Sequence, residues 1–477
     1  MANNSKGAAR WAAKHPGWQA TRAEHGTYNL FWLGQNLLWG FAGMVATFLT
    51  DLGIDAVTAG ALLLAPKIWD AINDTLFGYI VDRYTWKNGQ KFMPWIKLGV
   101  GGVAIAVIAM FFIPSSLSQG WKIAWFLIGY IIFDIFYTLL DAPAFSMSTV
   151  MTSNIPERTA FISGNKLWAM VGGVLSTVLI GVIRSKIGWG WAAVVFCGIG
   201  GLMMIPYLFT GKERREMSEE EKEEKFTFRQ MWNYLKANGQ LTICLIAFFI
   251  FGMTSIESTM SLYLARTCLG GEGNSMYIAA AVAVPVIIVS ALIPTIAKKV
   301  DKFWIMVFGL LGSIVIGIAA WFVGYSNMIS ALIFIGLKCM GMAVWQVIIY
   351  MLVADTIEYG NYKSGTRATG ITFALQCFIA KMKNAFLASF VLFMLGFIGF
   401  VEGENAVQPA GVADGLFGMF IFIPIAGYVL ALAILLLFYK LRDKSVQVMA
   451  KYNNGEISYD ECMAAIGDEF GEPAIVK

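Results

Sequence analysis

The chain has 477 residues, of which 58% are hydrophobic and 14% charged, with a mean hydropathy of +0.65 and a formal net charge of +4. A soluble domain carries about 25% charged residues, so an ordinary soluble fold is excluded and a polytopic all-α membrane protein is expected. The two histidines and six cysteines show no metal-type spacing, which argues against a metalloenzyme and against a disulfide framework.

In chain order the apolar stretches fall at 28–50, 56–81, 93–113, 122–148, 159–183, 189–210, 240–264, 274–296, 303–324, 328–354, 368–400 and 415–440. Each is near or above the ~20 residues that cross a bilayer as a helix, which predicts twelve transmembrane helices. Residues 1–27 are polar, without a signal peptide, and are expected to form a cytoplasmic tail. His15 and His25 lie in that tail, so no imidazole is placed to relay protons within the membrane. Lysine and arginine gather in the tail, after the second, sixth, eighth, tenth and twelfth spans and in the final segment 441–477, whereas loops after odd-numbered spans hold few. By the positive-inside rule both termini are cytoplasmic. The run GKERREMSEEEKEEKF beginning at Gly211 is too charged for lipid. It marks a cytoplasmic linker, 211–239, between two six-helix bundles at 28–210 and 240–440.

Polar residues inside the spans carry the chemistry. In the first span Gln35 and Asn36 are read as cavity lining. The second reads Lys67-Ile68-Trp69-Asp70-Ala71-Ile72-Asn73-Asp74-Thr75. Asp70 and Asp74, four residues apart, stack on one helical face with Asn73 beside them. A charge at membrane depth costs about 2.5–3.5 kcal/mol on insertion scales, so a cation, a buried base or a water-filled pathway must compensate the pair. The fourth span carries Asp134, Tyr137, Thr138 and Asp141 at i, i+3, i+4 and i+7, a polar stripe expected to face the bundle interior. Phe145, one turn on, and Trp125 offer flat apolar surface. Aromatic faces beside carboxylates suit a sugar, although plain packing also accounts for Phe145 and an interfacial position for Asp134.

In the seventh span Glu257 is read either as a substrate contact or as the partner of a basic residue. Trp345 and Gln346 in the tenth are candidate sugar contacts, packing being the other reading of Trp345. Asp355, Glu358 and Arg367 after the tenth span, like Asp82 and Arg83 after the second, are read as a charge network that holds a gate. The eleventh span holds Lys381, with Gln376 before it and Lys383 and Asn384 close by. An ammonium at that depth needs anions, and the Asp70/Asp74 pair is the natural candidate; snorkelling accounts better for Lys383.

Gly78-Tyr79-Ile80-Val81-Asp82-Arg83 matches the G-x-x-x-D-R pattern of the major facilitator superfamily, with a weak echo in Val300-Asp301-Lys302. Trp69 to Asp74, then Lys91-Phe92-Met93-Pro94-Trp95-Ile96, resembles the signature of the glycoside–pentoside–hexuronide:cation symporters, the melibiose-carrier-like family within it. Tyr137 to Pro143, Val353-Ala354-Asp355, Tyr359 to Lys363 and Gln376 to Lys381 resemble its later segments, in order. The resemblance implies that Asp70, Asn73, Asp74 and Thr138 bind the coupling cation, Na+ at the two carboxylates. It implies that Asp141 and Phe145 bind sugar, and that Lys381 connects the two sites. Two departures stand out: Gln35-Asn36 lie where the family has a first-helix Asp, and Lys166 replaces a fifth-helix Arg. A lysine offers a point charge rather than a planar fork.

The expectation is a secondary symporter of the cell membrane that couples Na+ or H+ entry to uptake of a glycoside, pentoside or hexuronide. The chain has no G-x-S-x-G elbow and no G-x-x-x-x-G-K phosphate loop, so neither an enzyme nor an ATP-driven pump is expected. No cofactor beyond the coupling ion and no nucleic-acid partner are expected, and the protein is read as a monomer. An uncoupled or exporting carrier, or a non-transporting receptor or scaffold on the same fold, are the alternatives.

Overall fold

The protein is described by a computed structural model over residues 11, 13, 15–84, 86, 89–152, 154–214, 228–365, 368–403 and 406–473. Side chains within helices at 65, 67, 68, 71, 72, 74–76, 78, 79, 82, 83, 149, 155, 159, 228–230, 374, 385 and 468 are outside the description. Arg367, and the side chains of Asp74, Asp82 and Arg83, therefore lie outside it.

Every apolar stretch falls on helix: α1 (Arg22–Ala42), α2 (Val45–Asp51), α3 (Ala56–Arg83), α4 (Met93–Phe111), α5 (Gln119–Val150) and α6 (Ile155–Thr210). Then come α7 (Phe228–Ala237), α8 (Gly239–Thr254), α9 (Glu257–Cys268), α10 (Ser275–Ile296), α11 (Lys302–Val323), α12 (Met328–Ser364), α13 (Thr369–Phe397) and α14 (Val412–Phe438). Two shorter helices follow, α15 (Asp443–Asn453) and α16 (Tyr459–Ile466). Among the described residues nine helices are long and apolar enough to cross a membrane. The difference from twelve has three sources. The first run is divided after Ala42 into α1 and α2. The fifth and sixth runs form the single stretch α6, in which Gly188 alone leaves helical geometry, at φ 74° and ψ 175°, a conformation open to glycine. The third source is α3, which carries Lys67, Asp70 and Asp74 and is not among the nine.

The chain divides into two compact units. The first contains Met1–Lys222 together with two short pieces from later in the chain, Gly271–Met276 and Leu395–Pro409. Its most extensive helix contact is α1 along α6, made where glycines oppose one another. A Cβ on Gly200 would stand 2.7 Å from the Gly34 carbonyl oxygen, and one on Gly34 would meet the Gly200 oxygen in turn. In lipid such small-residue contacts let two backbones approach closely enough for dispersion to hold them.

Polar groups at the ends of this unit satisfy one another. Glu157 accepts from the backbone N–H of Gln19 and Ala20 and from the Thr152 hydroxyl at 2.6–2.9 Å, which pins the polar N-terminal segment onto α6. Glu213 accepts from the N–H groups of Lys91, Phe92 and Met93 at 2.7–2.9 Å, capping the start of α4. Arg214 donates to both carboxylate oxygens of Glu24. The start of the charged linker is thus tied to the bundle by Glu213 and Arg214. Elsewhere the buried Arg184 guanidinium pairs with Asp51 at 2.6 Å and with Glu272, and lies over the Trp189 ring.

The second unit contains Glu223–Gly270, Tyr277–Met394 and Ala410–Lys477. Its apolar core includes Phe248, Phe251, Trp345, Ile348, Tyr428 and Leu432. The final polar segment folds back onto that core. In α15 and beyond, Val446, Met449 and Tyr452 are buried at helical spacing, and the Tyr362 hydroxyl donates to the Gly471 carbonyl at 2.8 Å. The six cysteines are unpaired thiols, with Cys197, Cys244, Cys339 and Cys462 buried.

The glycine contact makes a clean comparison. Gly200→Ala is expected to lower the stability of the purified protein by about 1–3 kcal/mol, the usual cost of overpacking. Gly201→Ala, whose Cβ meets nothing within 4 Å, should stay within about 0.5 kcal/mol. Thermal melts of both variants check it.

Candidate functional site

The polar stripe of α5 divides into two facets, each facing a different helix of the first unit. Asn73 of α3, 0% exposed, donates its side-chain amide to Asp134 Oδ2 and Thr138 Oγ1, both at 2.8 Å, and to the Asp134 carbonyl at 3.2 Å. Turning the amide over would set its oxygen against a carboxylate oxygen, so chemistry fixes its orientation. Asn73 Oδ1 is thereby left buried and, among the described residues, without a hydrogen-bond partner. Asp134 and Thr138 are themselves buried.

One turn along, the other facet meets α1. Gln35 Nε2 donates to Tyr137 Oη at 2.7 Å and to Asp141 Oδ1 at 2.9 Å. The Tyr137 hydroxyl also donates to Asp141 Oδ1, at 3.4 Å. Asn36 donates to Gln35 Oε1 and so holds that amide with its nitrogen toward the acid. The Trp39 ring, one turn beyond Gln35 on α1, stacks on Tyr137 with centroids 4.4 Å apart and is 42% exposed. It presents a flat apolar face beside the carboxylate. Pro143 lies just past Asp141; lacking an N–H, it frees the Leu139 carbonyl of its helical donor.

The structure thus brings together Asn73, Asp134 and Thr138, and separately Gln35, Asn36, Tyr137 and Asp141. Asp134 belongs to the facet that meets Asn73. Asp70 lies on the same helix as Asn73, half-buried. Phe145 is 48% exposed, and Lys166 and Gln346 are exposed. Trp345, a candidate sugar contact by sequence, is enclosed in the core of the second unit. Its ring stacks on Phe251 at 4.3 Å and it is 1% exposed, so packing is the reading its environment supports. Lys381 is exposed on α13, and Lys383 lies over the Phe248 ring.

The charge network after the tenth span closes within the second unit. Lys302 pairs with Asp355 at 2.7 Å and with Asp443 at 3.1 Å. Glu358 accepts from the Asn453 side chain at 3.1 Å. Two residues of weight were not singled out from sequence. Trp39 carried a signal, the i+4 spacing from Gln35. Lys338 carried another, an ammonium inside an apolar run: it lies 3.3 Å from Glu257, both fully buried. Of the two readings of Glu257, the pairing with a base is the one observed.

A polytopic helical protein whose buried carboxylates, amides and hydroxyls face one another across helices is of the transporter class. The chain belongs to the MFS/sugar transport protein family, which matches residues 28–443, and is a multi-pass membrane protein. It is 26% identical over 432 residues to the glucuronide carrier protein homolog of Escherichia coli (strain K12), covering 87% of this chain and 92% of that one. To the isoprimeverose transporter of Lactiplantibacillus pentosus it is 25% identical over 418 residues, covering 84% and 85%. In three dimensions it resembles the inward open xylose transporter XylE from E. coli, with a TM-score of 0.60 and 14% identity. That alignment covers 89% of this chain and 98% of the other, and the shared feature is the major facilitator fold.

Asn73→Leu removes the amide donor that Asp134 and Thr138 share. Losing buried hydrogen bonds, one of them to a carboxylate, costs about 1–3 kcal/mol each, so this variant is expected to melt well below the unmodified protein. Thermal unfolding of the two at neutral pH measures the gap.

Proposed function

We propose that this chain couples the inward movement of Na+ or H+ to uptake of a glycoside, pentoside or hexuronide by alternating access. On this reading it crosses the membrane twelve times with both termini in the cytoplasm. The observation that supports it most is the division of the α5 stripe into two facets one turn apart. Asn73 Oδ1, Asp134 and Thr138, with Asp70 and Asp74 on α3, form an oxygen-rich set suited to a small hard cation. Gln35, Tyr137 and Asp141 form the sugar-side set, in which donors and acceptors hold hydroxyls and the Trp39 ring covers a C–H face.

Within this reading Lys381 is the ammonium that links the two sets. Phe145, Lys166 and Gln346 remain as outer sugar contacts, and Asp82, Arg83, Asp355, Glu358 and Arg367 as gate charges. The substrate class is favoured by two relatives whose names specify a glucuronide and isoprimeverose. A uronide carboxylate would find its point charge at Lys166, where a fork-shaped arginine is absent.

Counterflow and gradient-driven uptake of labelled glycosides in proteoliposomes, with Na+ or choline outside, test the coupling. Asp74→Asn is expected to lose cation-driven accumulation while retaining exchange. Full accumulation by this variant rejects the assigned cation site, and absence of flux in the unmodified protein favours a scaffold. In the same assay Trp39→Ala should raise KM about 10-fold, the equivalent of about 1.4 kcal/mol of aromatic contact, with the maximal exchange rate little changed.

A further inference from the structure

The second unit carries an apolar groove that the proposed transport site does not use. It is bounded by Trp232 and Leu235 of α7, Ile246 and Phe249 of α8, and Phe378 and Met382 of α13. Its volume is about 420 Å³ and its lining is apolar throughout. Thr242 also borders it, but its hydroxyl donates to the Leu235 carbonyl at 2.8 Å, which leaves the methyl to the groove. Helix α7 is fixed at one end of this groove. Asn238, the single residue between α7 and α8, accepts from the Leu241 N–H at 3.0 Å and donates to the Thr356 carbonyl of α12 at 2.8 Å. Tyr234 is buried on the docked face of α7, where its hydroxyl accepts from Thr372 of α13 at 3.4 Å. Around the groove Trp232, Ile246 and Phe378 are between 48% and 51% exposed.

Half-exposed apolar side chains gathered along two spans need an apolar cover. A glycoside does not supply it, since its hydroxyls would lose their water in an apolar lining and gain no hydrogen bond. Another helix, about 10–12 Å across with its side chains, is too thick for a groove closed at one end by α7. A linear acyl chain fits along α8 from Thr242 to Phe249, about 10 Å of helix. Its headgroup then lies beside α7, and the charge there is positive. Lys236 is exposed in the last turn of α7, with Nζ 5.4 Å over the Trp232 ring. Trp232 joins the two features, because it lines the groove and carries the ammonium on its ring. Lys440, whose backbone N–H donates to Gln240 Oε1 at 2.8 Å, brings a second exposed lysine to the same corner.

We propose that this groove is a selective site for one anionic glycerophospholipid of the surrounding membrane. One acyl chain occupies the groove, and the anionic headgroup sits on Lys236. The lipid then bridges α7 to α8 and α13, which a lipid touching a single helix does not do. The proposal does not depend on which solute the chain carries or which ion drives it.

Fluorescence quenching of the full chain in phosphatidylcholine vesicles tests it without any transported solute. Phosphatidylglycerol or phosphatidylcholine with brominated acyl chains is included at matched mole fractions. The difference between the unmodified protein and Trp232→Phe isolates Trp232 among the 16 tryptophans. At low salt brominated phosphatidylglycerol is expected to half-quench Trp232 at about 5-fold lower mole fraction than brominated phosphatidylcholine, the effect of one lysine facing an anionic lipid. Added salt should narrow that preference. Lys236→Gln, a change at an exposed position, should abolish it while leaving quenching by phosphatidylcholine in place. Ile246→Phe fills the groove and should weaken quenching by both lipids. Equal quenching by the two lipids reduces the groove to ordinary lipid contact, and a preference that survives Lys236→Gln puts the headgroup elsewhere. Trp232 unquenched by either lipid leaves the groove closed to acyl chains. Each of these three outcomes overturns the proposal.

Discussion

An amide buried in a membrane-spanning helix has to find its acceptors on a neighbouring helix, because lipid offers none. In this protein that amide is Asn73, and its two short hydrogen bonds to Asp134 and Thr138 set the rotation of α3 against α5. With that rotation fixed, the next turn of α5 turns Tyr137 and Asp141 toward α1, where Gln35 meets both. The position of α1 is in turn secured on its other side by the close glycine contact with α6. The polar site is therefore a product of packing constraints on both flanks, and its geometry follows from very few side chains.

Hydrophobic run lengths made the helices readable, because a bilayer-spanning segment declares itself through composition alone. The stripe on α5 was legible for the complementary reason: polar residues are costly in a span, and its members meet Asn73 and Gln35. What escaped were features whose signal is relational. Lys338 lies in a strongly apolar run, and only the fold reveals that Glu257, far away in sequence, is its counter-ion. Trp39 resembles any interfacial tryptophan until its ring is found on Tyr137. Trp345 errs in the opposite direction, since an aromatic next to a glutamine suggested a site and packing claimed it.

Charge density also misled at the ends of the units. Glu213 and Arg214 belong to a stretch that composition describes as a solvated connector, yet they cap α4 and pair with Glu24. The final segment looked like a polar tail because its average is polar, while Val446, Met449 and Tyr452 form a buried stripe. Average polarity sets solubility; periodicity sets docking. Buried charge is treated in two ways. The α5 stripe surrounds its acids with neutral amides and hydroxyls, whereas the second unit sets Glu257 against the Lys338 ammonium beside aromatic rings.

The helix that carries both facets has one mechanical property that matters. Between Gly129 and Pro143, α5 contains neither glycine nor proline, so the stretch bearing Asp134, Tyr137, Thr138 and Asp141 behaves as a stiff rod with a soft joint at its far end. A rotation imposed at the Asn73 facet is carried along that rod to the Gln35 facet one turn away. Under the proposed symport, linkage between two ligands would then need no signalling route through the protein, the two facets being cut into the same shaft.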